Sequence, residues 1–399
     1  MTHKKLGLDN YDFYLILIYF FWVLSIISYF FLNEFVKAGN LINGVKLGND
    51  SVFYLREAQN ILNGEASIFK YKSKFGYLLF LLPFLYFKLP LILVVFFQIL
   101  LTGFSAWCLY RISSKYFCKL SGIISIFLFL FYFPIQIRNF YILTEILFID
   151  LLIILTYLLV FFRKNFFPLI VFLIFALVSV RQNGILYLFS ILICIFIYFI
   201  KYKKYLYLSL YLLILFLAII PIVNLLNMYM LEANLIKMIT NRGIIWGWSF
   251  EHNQICGNNG ISCLEIQFIN NNYQNTIFGF LAFLSENYFN FFKIFVLKIF
   301  WLLARVRPYY SDLHNSYILF FNLISYPAFI YGFLKRPRNN FSLNVIIFFM
   351  VFSLLLVGLT FADWSGRFSL YFLPLIFIFS SYGILLFVKN FFKIVRGHN

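Results

Sequence analysis

The sequence predicts an all-α, polytopic integral membrane protein of about ten transmembrane helices, and composition, apolar run length and the placing of basic residues carry that prediction. Of 399 residues, 63% are hydrophobic and only 12% charged. The apolar residues come in long runs rather than at amphipathic spacing, the pattern of helical membrane proteins. The formal charge of +18 would suggest nucleic acid in a soluble protein. Here the basic residues sit at the ends of apolar runs, as retained loops require, so no nucleic-acid partner is expected. Phe, Ile, Leu, Tyr, Asn and Lys dominate as AT-rich codon usage would have it, so the 58 Phe and 29 Tyr carry little functional weight.

Apolar runs of roughly 17–25 residues place spans near 12–32, 90–111, 120–137, 142–162, 167–180, 184–200, 205–226, 316–334, 343–361 and 369–388. The first follows "MTHKKLGLDNYD" without a small-x-small cleavage site, and reads as a retained span. Basic clusters at Lys4/Lys5, Arg111/Lys115/Lys119, Arg163/Lys164, Lys201/Lys203/Lys204, Lys335/Arg336/Arg338 and Lys389/Lys393/Arg396 fall in alternate connections. By the positive-inside rule both termini are cytoplasmic, in an inner or plasma membrane. Residues 77–89, "YLLFLLPFLYFKL", are too short to cross and read as re-entrant or interfacial. Residues 288–306 carry Lys293, Lys298 and Arg305 and are expected along the outer membrane surface. This topology leaves one transmembrane domain over 1–399, with large outer loops at 33–76 and 227–315. Most of the 14 acids fall on the outer side, where any chemistry is therefore expected. Five cysteines form no CxxC or Cys/His cluster, so neither zinc nor a redox centre is expected. Cys256 and Cys263 share a polar loop and could close it as a structural disulfide.

Several polar constellations interrupt the apolar text. In "GNDSVFYLREAQNILNG", Asp50 precedes a stretch in which Val52, Leu55, Ala58 and Leu62 recur at helical spacing, predicting an amphipathic surface helix. Two readings of Asp50 stay open. Asp50 or Ser51 caps that helix, or the Asp50 carboxylate is a general base at the lipid–water boundary. Arg56 and Glu57 fit the helix's solvated side. Glu145, in "YILTEILFIDLL", stands at the mouth of the fourth span, where a carboxylate needs a polar cavity or a partner. Asp150 lies five residues deeper, off the Glu145 face, and reads as an interhelical pairing residue outside the site. Arg181, in "SVRQNGILYL", is either an anion ligand, with Gly184 allowing close backbone approach, or an arginine snorkelling to headgroups. "RVRPYYSDLHN" brings Arg305, Arg307, Tyr309, Tyr310, Asp312 and His314 together before a span, the default being an interfacial belt. Arg367 lies with Asp363 in a short outer loop. Outer arginines run against positive-inside bias, and a bound anion would explain Arg181, Arg307 and Arg367 together.

In order and spacing, "NDSVFYLREAQNILNG", "TEILFIDLLIIL", "VRQNGILYL", "RPYYSDLHN" and "GRFSLYFLPLIFIFSSYG" resemble segments of the GT-C class of polytopic glycosyltransferases. The relatives in question are those of the dolichyl-phosphate-mannose protein mannosyltransferases and of the lipid A aminoarabinose transferase. The resemblance covers about 45–385. It implies transfer of a sugar from a polyprenyl-phosphate-linked donor to a lipid, glycan or protein acceptor outside the membrane, usually with inversion. It puts the family's first-loop acid on Asp50 as base, its cavity acid on Glu145 and its phosphate-holding basic residue on Arg181. Tyr54, Glu57, Arg307, Tyr309 and Arg367 join as substrate-binding candidates. The chain departs from the family at "KFGYLLFLLPF", where a "PLYP"-like segment is common, at Gln182, where Pro often follows the arginine, and at Ser51, where a second acid can stand. No cofactor is expected; a divalent metal would have only Asp50, Glu57 and Glu145 as ligands. Rival readings are a transporter or flippase of lipid-linked sugars, which would line the membrane midplane with polar groups, an O-antigen-type polymerase, and a non-catalytic scaffold.

Overall fold

The computed structural model describes residues 10–36, 41–42, 45–65, 74–213, 227, 273–274, 276–307, 310–337, 340–359 and 366–397. The chain is mostly helical. In order it forms α1 Asn10–Val36, a hairpin of β1 Leu41–Ile42 and β2 Val45–Lys46, α2 Asn49–Leu62, α3 Phe75–Tyr86, α4 Ile92–Tyr116, α5 Lys119–Leu130, α6 Phe133–Gln136, α7 Thr144–Val160, α8 Phe167–Val180, α9 Gly184–Lys201, α10 Ile277–Ala304, α11 Asp312–Leu334, α12 Phe341–Leu359 and α13 Leu373–Gly397. Among the described residues, seven helices are long and apolar enough to cross a membrane: α1, α4, α9, α10, α11, α12 and α13. The chain is thus an all-α, multi-pass membrane protein with a small hairpin.

The elements depart from the expected spans at informative places. The 120–137 run is two helical pieces, Lys119–Leu130 and Phe133–Phe140, bent by 58°. Pro134 has no N–H to offer the Leu130 carbonyl, so one helix stops and another starts. The 77–89 segment is the 12-residue α3, short as expected. Residues 288–306 lie within α10, whose 28 residues meet the length and composition of a span but break helical geometry at Asn287, where the expected segment begins. Of their basic residues, Lys298 is buried, sharing a face with Phe291, Ile294 and Leu302 at helical spacing. Of the 205–226 span, residues 205–213 are helical; the remainder lies largely outside the described residues, as do Tyr309, Asp363, Cys256 and Cys263.

By its internal packing the chain divides into two compact units. The first comprises 1–188, 323–346 and 370–399; the second comprises 189–322 and 347–369. In the second, Phe283 and Phe291 form a buried cluster with Phe280, Phe295 and Leu359.

In the first unit, α4 packs on α5, α7 and α13, and hydroxyl groups fasten this packing. Ser113, Ser121 and Ser381 form a buried triangle with Oγ–Oγ distances of 2.8, 2.8 and 3.1 Å. Helices α11 and α13 meet through glycine. A Cβ on Gly383 would stand 1.8 Å from the Ala328 carbonyl oxygen, and one on Gly332 only 2.1 Å from that of Phe379. Such small-residue crossings let helix backbones touch where lipid gives no hydrophobic drive. A polar chain then joins α1, α4, the bent segment and α7. Trp22 Nε1 donates to Gln136 Oε1 at 2.9 Å, Asn139 Nδ2 to the same oxygen at 3.4 Å, and Thr102 Oγ1 lies 2.9 Å from Asn139 Oδ1 and 3.0 Å from Asp150 Oδ2.

Candidate functional site

The site begins with a strand contact. Lys46, at the end of β2, forms a parallel bridge with Tyr141, and its ammonium lies 4.8 Å over the Tyr29 ring. From that bridge the two segments run the same way. Asp50 stands four residues after Lys46 and Glu145 four residues after Tyr141, each in the first turn of a helix, α2 and α7. Carboxylates there are favoured by the positive end of the helix dipole.

Asp50 is not the cap of α2. Gly48 is the N-cap, and Ser51 Oγ accepts a hydrogen bond from the Gly48 N–H at 3.1 Å. Asp50 occupies the second helical position, half-buried. Helix α2 is also turned differently from the expected amphipathic helix. Its buried residues are Ser51, Tyr54, Glu57 and Ala58, while Val52 and Phe53 are exposed. Glu57, expected on the solvated side, is fully buried, and Arg56 alone of the pair is exposed, 4.9 Å over the Phe53 ring. This inside-out arrangement suits a helix whose outer face meets acyl chains.

Glu145 and Arg181, thirty-six residues apart, are joined. Arg181 Nη1 lies 3.3 Å from Glu145 Oε1 and donates to Thr144 Oγ1 at 2.6 Å. The side chains are 12% and 1% exposed, so the snorkelling reading of Arg181 does not hold. Helix geometry places the arginine: α8 ends at Val180, Arg181 is extended, and α9 starts at Gly184. A Cβ on Gly184 would stand 2.7 Å from the backbone of Leu177 and Val178. The close approach that Gly184 permits is therefore to the preceding helix. Gly184→Ala is expected to spread the α8–α9 turn, lowering thermal stability in detergent and weakening whatever anion affinity Arg181 confers.

Three tyrosines surround the pair. The Arg181 guanidinium lies 4.8 Å over the ring of buried Tyr371, within cation–π range. Tyr371 is wedged edge-on against Phe148, 5.0 Å away. Tyr54, one turn along α2 from Asp50, meets Tyr77 of α3 edge-on at 5.3 Å. Burial acts to lower the Arg181 pKa, but Tyr371, Glu145 and Tyr54 raise it, and the net shift is upward. Arg181 is thus a permanent cation, and α2 reaches it electrically through Tyr54.

Tyr77 and Tyr371 were not singled out in the sequence. Tyr77 lies in the segment set aside as re-entrant, and against so many aromatics neither had a distinguishing signal. Arg307 and Arg367 belong to the second unit. There Arg307 is fully buried, donating through Nη1 to the Trp301 and Val306 carbonyls at 2.9 and 2.8 Å, with Asn315 bridging its backbone. Its fork serves α10's C-terminal end. Arg305, in the left-handed conformation at φ 58°, caps α10 and packs beside Gly366, the neighbour of Arg367. Among the described residues, no three His, Cys, Asp or Glu side chains gather as a metal site would need.

Comparison with family models, curated proteins and solved structures gives no match. Chemistry at the site must therefore be argued from its own geometry: a buried, permanent cation with an acid beside it, framed by tyrosines, next to the start of a helix bearing a second acid.

Proposed function

We propose that this chain is a GT-C-like membrane glycosyltransferase. It takes a sugar from a polyprenyl-phosphate-linked donor and passes it to an acceptor on the extracytoplasmic side. Roughly ten crossings with both termini cytoplasmic would put the Asp50 and Glu145 helix starts on that side. The observation carrying the proposal is the Glu145–Arg181 pair, buried beside the bridged segment that leads into Asp50.

An arginine held charged in a water-poor site suits a phosphate leaving group, because preorganised cations act most strongly where water is excluded. Its contacts to Glu145 and Thr144 both use Nη1, so Nη2 and Nε are the donors for phosphate oxygens. Glu145 fixes the guanidinium's orientation. Asp50 accepts the proton of an acceptor hydroxyl or amine as that atom attacks the sugar's anomeric carbon from the face opposite the phosphate. The carbon–oxygen bond to phosphate breaks, and the carrier departs as its phosphate on Arg181. Tyr54 and the buried Glu57 would wall the sugar pocket.

The test uses membranes bearing the full chain or Asp50→Asn and a radiolabelled polyprenyl-phosphate hexose, counting label that leaves the organic-soluble fraction. Asp50→Asn is expected to slow transfer by about 10²–10⁴-fold with thermal stability unchanged. Equal transfer by the two chains would remove Asp50 as base. Label that changes leaflet without leaving the lipid fraction would favour a transporter.

A further inference from the structure

We propose that Asp150 is held as a neutral carboxylic acid that donates a hydrogen bond to Thr102, starting a donor chain through Thr102 and Asn139 that meets the Trp22 N–H at Gln136 Oε1 and fixes the segment leading to Glu145. The inference rests on counting donors and acceptors, starting from a group that can only donate.

The Trp22 indole N–H has no acceptor role, so the Gln136 atom 2.9 Å away is its carbonyl oxygen, and the amide nitrogen faces the Phe129 carbonyl at 2.9 Å. Gln136 is thereby fixed in one orientation. The Asn139 atom facing Gln136 Oε1 must then be the donor Nδ2, at 3.4 Å, which turns Asn139 Oδ1 towards Thr102. A threonine hydroxyl has one hydrogen and two lone pairs. Thr102 gives its hydrogen to Asn139 Oδ1 at 2.9 Å, so the contact 3.0 Å away at Asp150 Oδ2 must run the other way, from a carboxyl O–H into a Thr102 lone pair.

The surroundings agree with a neutral acid. Asp150 is fully buried, and its Oδ1 has no hydrogen-bond partner. An ionised carboxylate there would lack the several donors or the cation that a buried charge needs. The groups facing it are the hydroxyls of Thr102 and Ser105 and the thiol of Cys108. The expected role as an ion-pairing residue is not what these neighbours provide.

The chain also explains why Asp150 stands below Glu145 on α7. Gln98 donates to the backbone carbonyls of Asn139 and Tyr141 at 2.8 and 3.1 Å. The Asn139 side chain is held from its other end by the Thr102–Asp150 link. Residues 139–141, which carry the bridge to Lys46 and lead into Glu145, are thus clamped to α4. Asp150 is a positioning residue.

The test compares full-length wild type and Asp150→Asn in lipid nanodiscs by infrared spectroscopy at neutral pH, in H2O and D2O. The wild-type-minus-variant spectrum is expected to show one protonated-carboxyl C=O band that shifts in D2O. A difference made of carboxylate stretches would overturn the proposal. Asn can donate in the same place, so Asp150→Asn is expected to melt close to wild type while Asp150→Leu melts well below it. Equal losses would also overturn it. Should Asp150→Leu fail to fold, Thr102→Val serves instead: the carboxyl band persists and moves to higher frequency as the O–H loses its acceptor, and an unmoved band sinks the assignment. None of these readouts uses sugar transfer, so they stand or fall apart from the proposed function.

Discussion

Arg181→Ala is expected to destabilise the folded chain by about 3–5 kcal/mol, the usual cost of removing one member of a buried ion pair. Glu145 would keep its charge in a site only 1% exposed and lose the group that offsets it. Thr144 would lose a donor in the same step. The loss belongs mostly to the stranded carboxylate, which a double-mutant cycle can show. Arg181→Ala combined with Glu145→Gln is expected to recover more than half of the deficit, because a neutral amide tolerates burial better than an anion that has lost its salt bridge. Denaturation in mild detergent, scored by a tryptophan or fluorescent probe, measures each corner. Losses that simply add would show that the two side chains do not act as a pair. Arg181→Lys should keep stability better than alanine and still lose phosphate affinity, since a point charge cannot form the fork.

Gly383→Leu is the second large effect. The Ala328 carbonyl occupies the space where the first carbon of any side chain would go, and the obstacle is backbone rather than a side chain that could rotate away. Helices α11 and α13 must separate, breaking the 2.8 Å bond from Ser380 Oγ to the Ser325 carbonyl and the close packing at Gly332. The expected cost is at or above the roughly 1–3 kcal/mol usual for overpacking. Lower yield of folded protein and a lower melting temperature are the readouts. Gly383→Ala should show a milder version, and a Gly383→Leu chain that melts like wild type would refute the tight crossing.

The helical membrane architecture was legible because apolar run length answers to a strong constraint, the satisfaction of backbone groups in lipid. Run length says less about what a basic residue inside a run is doing. Lys293 and Lys298 both follow the break at Asn287 in α10, yet Lys298 is buried, which the run itself does not show. The 58° bend at 131–132 was written in Pro134, which sits within an otherwise uninterrupted apolar run. At the candidate site, Glu145 and Arg181 could be picked separately as charges costly to keep near lipid. Their pairing could not, since it depends on how α7 packs against α8. Glu57 falls on the buried rather than the solvated side of α2 for a related reason. Helical periodicity shows that one face differs from the other, and whether the apolar face turns inward depends on which solvent lies outside. Tyr77 and Tyr371 were hidden by composition, as any two tyrosines among 29 would be.

Helix α2 has a practical consequence of its own. With Ser51, Tyr54 and Glu57 turned inward and Val52 and Phe53 outward, the bilayer serves as the missing half of this helix's packing. Detergent is a poor substitute for that half. Extraction would loosen the wall carrying Asp50 and Tyr54 before it melted the interior of the bundle. A preparation could therefore keep its full helical signal and still be inert, with function restored by adding back lipid.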